Sequence, residues 1–274
     1  MTNTDRKTVE SFGDEWSRFD QSGMSYDESQ KVFKEYFDIF PWNEITSHSE
    51  GFDMGCGSGR WARFIAPKVK KLNCIDPSNA INVAKDVLSD FKNISFERAS
   101  VDNSSLESNS QDFGYSLGVL HHVPDTSSAI KSCVNYLKPG APLLLYLYYK
   151  FDNRPLWYRA LWKLSDLLRI FIYRLPPIIK HVVTNLLALL IYWPLARLSK
   201  LFSLLGVNTQ SFPLTYYKDH SFYTMKTDSR DRFGTPLEQR FQKNEIEEMM
   251  IAAGLEKISF SENAPYWCAL GYKK

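Results

Sequence analysis

Asp53-Met54-Gly55-Cys56-Gly57-Ser58-Gly59-Arg60 places three glycines at alternate positions, just where an apolar run ends and a helix-like run begins. Glycine adopts positive φ and carries no Cβ, so such a loop can turn sharply and bring backbone N–H groups against a ligand at a helix N-terminus. This is the chemistry of a nucleotide-like cofactor held at the edge of a parallel sheet. A dinucleotide fingerprint needs a further small residue three positions after its second glycine, and Arg60 stands there. A second acid, Asp76, ends the next apolar run and can accept hydroxyl donors. His121 and His122 follow a later apolar run at the edge where open α/β sheets bind ligands, and imidazole suits proton transfer near neutral pH. Tyr216, Tyr217, His220 and Asp228 lie in a polar, aromatic stretch read as a loop, the usual seat of functional groups on a rigid scaffold.

In order and spacing these pieces resemble the Rossmann-like (class I) S-adenosylmethionine-dependent methyltransferases of small-molecule type, whose first motif reads acid-x-Gly-x-Gly-x-Gly. Asp53, Gly55, Gly57 and Gly59 match it position by position. The resemblance implies that Asp76, in Asp76-Pro77-Ser78, accepts both ribose hydroxyls and that Val101-Asp102 forms the adenine segment with Asp102 as acceptor. It makes Asp112 to Val123, including Gly118, the fourth strand and its loop, and Lys138-Pro139-Gly140 the turn before the fifth. The cofactor set so implied is Asp53, Gly55, Cys56, Gly57, Gly59, Asp76, Pro77, Val101, Asp102 and Gly118, with Trp16 and Arg18 added by an N-terminal helix that covers the cofactor. Arg18 would meet the methionine carboxylate. Catalytic candidates are His121, His122 and His220, substrate candidates Tyr216, Tyr217 and Asp228, and no metal is called for. Each has a plainer reading. The aromatic stripe of the N-terminal helices can be core, one of the paired histidines can line the cofactor pocket, and the 215–223 segment can merely cap the last helix.

The elements that would position these residues alternate as βαβ units of a doubly wound α/β sheet. Helices are expected over Thr8–Phe19 and Tyr26–Phe40, the second stopped by Pro41. Five strands are expected to end at Met54, Ile75, Arg98, Leu117 and Tyr149. A helix over Lys243–Ala253 closed by Gly254 then precedes two strands, Lys257–Phe260 and Tyr266–Gly271, joined by a short loop. The fold expected is a seven-stranded, mainly parallel sheet with an antiparallel last strand. Its domains are a helical cap at 1–48, a cofactor core at 49–150, a helical insertion at 151–213 and the completion of the core at 214–274.

The insertion is apolar, aromatic and basic. From Arg154 onward, Arg154, Arg159, Lys163, Arg169, Arg174, Lys180, Arg197 and Lys200 face a single acid, Asp166. Its second run, Ile178–Trp193, is expected to stop at Pro194, and its uncharged length is too short for a span. Three readings follow: a lid over a substrate pocket, a peripheral membrane element that collects a lipid or lipid-linked substrate, and a dimer interface. A net charge of +2 over 274 residues argues neither for nor against nucleic acid, and aromatic residues inside leucine runs are poorly placed to stack on bases. Cys56, Cys74, Cys133 and Cys268 have neither disulfide-framework nor zinc spacing. With polar residues after Met1, the expected location is the cytoplasm, peripheral on the inner face of a membrane where the insertion makes contact.

The function expected is methyl transfer to an oxygen or nitrogen, less readily a carbon, of a small hydrophobic or lipid-linked acceptor. RNA or protein methylation is the alternative enzyme reading, and a cofactor-binding scaffold at a membrane the alternative outside enzymes.

Overall fold

A computed structural model describes residues 3–274. The chain divides into two compact units, one made of 1–21, 29–150 and 237–274, the other of 22–28 and 151–236. Residues 214–236, expected to complete the core, therefore belong to the second unit.

The first unit holds one sheet. Its strands are β1 (Glu50–Met54), β2 (Lys71–Ile75), β3 (Ile94–Glu97), β4 (Phe113–Leu117), β5 (Pro142–Tyr146), β6 (Leu255–Phe260) and β7 (Cys268–Lys273), in the spatial order β3-β2-β1-β4-β5-β7-β6. β1 to β5 pair in parallel, and β7 enters antiparallel between β5 and β6. This is the expected sheet with its reversed last strand. The order steps outward in both directions from β1 and β4, which leaves a crevice at their carboxyl ends, the place where open α/β sheets take ligands.

The central strands β4 and β5 are buried almost throughout because both faces are covered. Leu72, Cys74, Phe113, Tyr115, Leu117, Leu144, Cys268 and Leu270 share one core with Phe33, Phe37, Phe40, Trp61, Ile65, Ile81 and Leu88. These last residues come from or adjoin α2 (Tyr26–Tyr36), α3 (Ala62–Ile65) and α4 (Ala80–Val87). Each buried Leu or Phe of this kind contributes about 1.5–3 kcal/mol. Helix α2 ends at Tyr36, ahead of Pro41, and the Phe37–Phe40 turn continues its apolar face. Helix α1 (Arg6–Arg18) starts at Asp5, whose side chain accepts the Thr8 N–H at 2.9 Å. Gly13 of α1 packs near the head of α4, where a Cβ would lie 3.5 Å from the Asn79 backbone nitrogen, an ordinary contact. Helices α5 (Thr126–Tyr136) and α10 (Lys243–Ala252) complete the unit.

The second unit is helical: α6 (Leu156–Ile172), α7 (Pro177–Leu187), α8 (Trp193–Leu204) and α9 (Phe222–Gly234). Two expectations are corrected here. Pro194 does not stop its helix, because Ala188–Tyr192 form one π-helical turn and the helix runs unbroken from Pro177 to Leu204. Proline lacks an N–H and crowds the carbonyl four residues back, and widening the preceding turn accommodates both demands. The resulting 28-residue helix is long and apolar enough to cross a membrane by length and composition, against the expectation of a run too short for a span. The second correction concerns 215–236. Thr215–Asp219 form a 3₁₀ turn, and Ser221 caps α9 by accepting the Thr224 N–H at 3.3 Å, so Asp228 sits on a helix and not in a loop. The polar character that suggested a loop is spent inside the unit; for example, Ser229 Oγ donates to the Thr184 carbonyl at 2.9 Å.

Candidate functional site

The glycine loop closes on the strand beside it. Gly55 N–H and Cys56 N–H both donate to the Ile75 carbonyl, at 2.7 and 3.1 Å, and Gly57 N–H donates to Asp76 Oδ2 at 2.9 Å. Gly55, Gly57 and Gly59 all take positive φ, at 80°, 54° and 78°. At Gly57 the constraint is double: its φ is left-handed, and a Cβ there would come within 3.1 Å of the Trp16 indole nitrogen. Trp16 thus lies over the loop. Asp76 is buried, and its other oxygen, Oδ1, accepts from Ser78 N–H at 2.8 Å and Ser78 Oγ at 2.6 Å. Each carboxylate oxygen has two lone pairs, so these three donors orient the side chain and leave one acceptor position, on Oδ2, for a hydroxyl.

Asp53 lies beneath this loop at 1% exposure, with Oδ2 buried and lacking any hydrogen-bond partner among the described residues. Burial pushes its carboxyl up to about 8; the Asp76 carboxylate adds to the rise, and the Tyr115 hydroxyl and Arg60 oppose it. A buried acid with an open acceptor, facing a second carboxylate, is a place that gains from a cation. Gly118, at φ 79°, holds its N–H on the Tyr146 carbonyl at 2.9 Å, and a Cβ there would meet nothing closer than 4.0 Å. The expected cofactor carries a sulfonium, an ammonium and ribose hydroxyls. The orphaned Asp53 oxygen, the pre-oriented Asp76 and the open space over Gly118 fit those groups.

The remaining cofactor candidates lie in the same unit. Val101 is buried and Pro77 half-buried, while Asp102 is exposed and accepts the Asn3 N–H at 3.0 Å. Burial acts to raise the Asp102 carboxyl, but donation from the Asn3 and Ser100 groups outweighs it and holds the group below the usual range. Arg18 is paired with Asp14 one turn back at 2.9 Å. Cys56 is buried beside Cys74, and burial raises its thiol well above the ordinary value, away from thiolate chemistry.

His121 and His122 sit in a 3₁₀ turn, Leu120–His122, that follows β4. The turn is fixed by the returning chain at 237–241. Gln239 N–H donates to the His121 carbonyl at 3.0 Å, its amide to the Val123 carbonyl at 2.6 Å, and Leu237 N–H to Thr8 Oγ1 at 3.1 Å. His122 Nδ1 lies 2.7 Å from the Leu237 carbonyl, which can only accept. That contact assigns the proton to Nδ1 and leaves the lone pair on Nε2. His121 is fully buried, and neither ring nitrogen has a hydrogen-bond partner among the described residues. Burial, then the neighbouring His122 and Arg240, hold its imidazole well below the ordinary value, so it is neutral at physiological pH. The rings form a continuous column. Arg240 lies 4.9 Å from the Tyr148 ring, Tyr148 stacks at 3.8 Å on His121, His121 is 3.9 Å from His122, and Phe12 meets His122 edge-on at 4.9 Å.

Tyr148, Glu238, Gln239 and Arg240 were missed by sequence reasoning. Arg240 Nε donates to Glu238 Oε1 at 2.8 Å with both side chains nearly buried. A charged pair two residues apart reads as solvent-facing in sequence, and only the bridge between Phe241 and Tyr149, just beyond β5, shows otherwise.

His220, Tyr216, Tyr217 and Asp228 are placed in the second unit. His220 is buried, stacks on Tyr216 at 4.5 Å and shares its Nδ1 with the Tyr216 carbonyl at 2.8 Å. Burial, then Asp228 and Tyr192, raise the Tyr217 hydroxyl well above its ordinary value. These four residues form a cluster of their own.

A family model described as a methyltransferase domain matches residues 52–145, which run from β1 through β5. Residues of this chain are 30% identical over 129 positions to phosphoethanolamine N-methyltransferase 2 of Caenorhabditis elegans, covering 46% of this chain and 28% of that one. They are 26% identical over 119 positions to the tRNA U34 carboxymethyltransferase of Nautilia profundicola, covering 40% of each. The chain therefore spans well under two thirds of the length of these relatives. In fold it is similar to a chain of the complex between the Trm112 methyltransferase activator of Haloferax volcanii and a methyltransferase, with TM-score 0.55, 13% identity, and 94% and 96% of the two chains covered. It is also similar to an O-methyltransferase family protein of Burkholderia thailandensis, with TM-score 0.52, 12% identity, and 90% and 56% covered.

Proposed function

We propose, from the premise that residues 52–145 are the domain of a class I S-adenosylmethionine-dependent methyltransferase, that the protein moves a methyl group to an oxygen or nitrogen of a small hydrophobic or lipid-linked acceptor. The observation that carries this reading is the loop of three positive-φ glycines closed onto Asp76. When bound, the cofactor supplies a methyl carbon already attached to its leaving group, so the protein has chiefly to hold, orient and exclude water. Asp76, held in place by the loop, would take the adenosyl part and Asp53 would face the cationic part, with Trp16 over the loop.

Among the histidines, His122 suits proton transfer, because the Leu237 carbonyl holds its Nδ1–H and directs the basic lone pair to Nε2. His121, kept neutral by burial, positions it through ring contact. An acceptor that arrives as a neutral amine needs no such base; a hydroxyl does. The choice of a small acceptor follows the relative named for phosphoethanolamine. The relative named for tRNA keeps RNA as the second reading. Against it stands the second unit, whose exposed aromatic residues Trp157, Phe171 and Trp193 lie among leucines and isoleucines.

Isothermal titration with S-adenosylmethionine, S-adenosylhomocysteine and NAD tests the premise: the first two should bind and NAD should not, and binding of NAD alone would overturn it. Incubation of labelled cofactor with a cell extract, split into lipid, polar small-molecule, RNA and protein fractions, tests the acceptor, which is expected in the lipid or small-molecule fraction. For a hydroxyl acceptor, His122→Ala should lower kcat by about 10²–10⁴ with S-adenosylhomocysteine affinity unchanged. Unchanged turnover would remove His122 from proton transfer.

A further inference from the structure

Of the 23 large apolar side chains exposed among the described residues, 20 lie between Leu156 and Val207. They are arranged and not scattered. On α6, Trp157, Leu161, Leu164, Leu168 and Phe171 recur at three- and four-residue steps, and the 177–204 helix repeats the pattern from Ile178 to Leu204. A contiguous outward stripe on two helices is a binding surface in search of an apolar partner.

The cations divide into two sets. Arg169 donates to the Thr235 and Pro236 carbonyls, Lys180 to the Gly234 carbonyl, and Arg197 to the Lys218 and His220 carbonyls, so these three are turned into the unit. Arg159, Lys163 and Arg174 make no ion pair among the described residues; Arg174, just past the end of α6, donates to the Ile170 carbonyl and lies 4.9 Å from the Tyr173 ring. Asp166, the one acid between 153 and 207, is consumed by Arg169 and Arg232 at 2.7 and 3.2 Å. What is left on the apolar helices is positive charge without an acidic counterpart.

We propose that α6 and the 177–204 helix lie in the interface of an anionic lipid bilayer, with their apolar stripes among the acyl chains and Arg159, Lys163 and Arg174 at the headgroups. An apolar stripe with aromatic residues, flanked by unpaired cations off the stripe, is what such an interface binds. The helix lies flat and does not cross. Its inner side carries Thr184 and Ser199, both fully buried, and is bonded through Lys180 and Arg197 to backbone carbonyls at 218–220 and 234. A crossing helix would carry those polar groups into hydrocarbon, where no water can satisfy them. A second copy of the chain fits less well, because an isologous contact would bring two cationic patches together with no acid between them. The proposal does not depend on the methyl-transfer reading.

Sedimentation of the full chain with vesicles of phosphatidylcholine, with and without phosphatidylglycerol, tests it. Binding to the anionic vesicles should be roughly a hundredfold tighter, about fivefold for each of three cations, and should weaken with salt. In the unsubstituted protein, Trp157 and Trp193 fluorescence should shift to the blue on binding. Lys163→Glu with Arg174→Glu should cost at least about tenfold on anionic vesicles, and Phe171→Ser with Leu190→Ser should abolish binding to both. All four positions are exposed, so melting temperature and S-adenosylhomocysteine affinity should not move. Absence of binding to anionic vesicles, equal binding to both vesicle types, or a concentration-dependent dimer that the Phe171→Ser, Leu190→Ser protein fails to form would each overturn the proposal.

Discussion

The two units invert one another. In the first, leucines and phenylalanines are inside, Leu143, Leu144 and Leu145 among them at 0% exposure, and most lysines face out. In the second, Phe171 and Leu190 stand about 70% and 67% exposed while Arg169, Lys180 and Arg230 are buried. The same physics yields both if the two do not share a surrounding. A unit ordered by water alone has no reason to spend its cations on internal carbonyls and leave its leucines out. A unit whose outer face meets hydrocarbon does, because the apolar stripe then gains nothing by turning inward.

The sharpest way to break the comparison is to make matched substitutions in both regions. Leu145→Ala should cost about 2–5 kcal/mol of stability, since β5 is buried on both faces. Leu190→Glu should stay within about 0.5 kcal/mol in vesicle-free buffer. Chemical denaturation measures both, and comparable losses would mean that the outward stripe is covered within the protein. Next in size is the inward set. Arg169→Ala removes the donor to the Thr235 and Pro236 carbonyls and one of the two cations on Asp166, and should cost about 2–4 kcal/mol. Lys163→Ala, one of the outward set, should change stability by less than about 0.5 kcal/mol. Equal effects would erase the distinction between inward and outward cations.

What could be read in advance divides along the same line. The glycine loop, Asp76 and the reversed last strand are local demands: a positive φ asks for glycine at its own position, and a strand flanked on both faces asks for a continuous apolar run. The pinning of His122 by Leu237, and the burial of Arg240 beneath Tyr148, depend on segments more than 90 residues apart and leave no periodicity behind. The π turn before Pro194 was misread as a stop because proline announces a missing N–H and says nothing of how the neighbouring turn absorbs it. Asp228 was expected in a loop, since a helix whose inner face is polar lacks the apolar stripe by which helices are recognised.

The smallest effect lies in the first unit and comes from the carboxyl that burial keeps protonated at its ligand site. Asp53 is held at about 8, far above an ordinary carboxyl near 3.9, chiefly by burial. Stability from such a group is fully present below the unfolded value and is lost as pH rises through the folded one. With respect to Asp53, the cofactor-free protein should therefore melt at lower temperature at pH 9 than at pH 7. A bound cation needs the opposite state. Between pH 9 and pH 7 the carboxyl takes up its proton, which binding must then expel, so the affinity for S-adenosylmethionine should fall about tenfold on going down. Keeping to that range avoids the charging of His121, whose depressed value places its own loss of stability at lower pH. The cofactor's amino group also titrates here, so the decisive quantity is the difference between the natural protein and Asp53→Asn, measured by calorimetric titration at each pH. A parallel pH dependence in both would mean that the orphaned oxygen faces no cation, and that Asp53 merely packs beneath the loop.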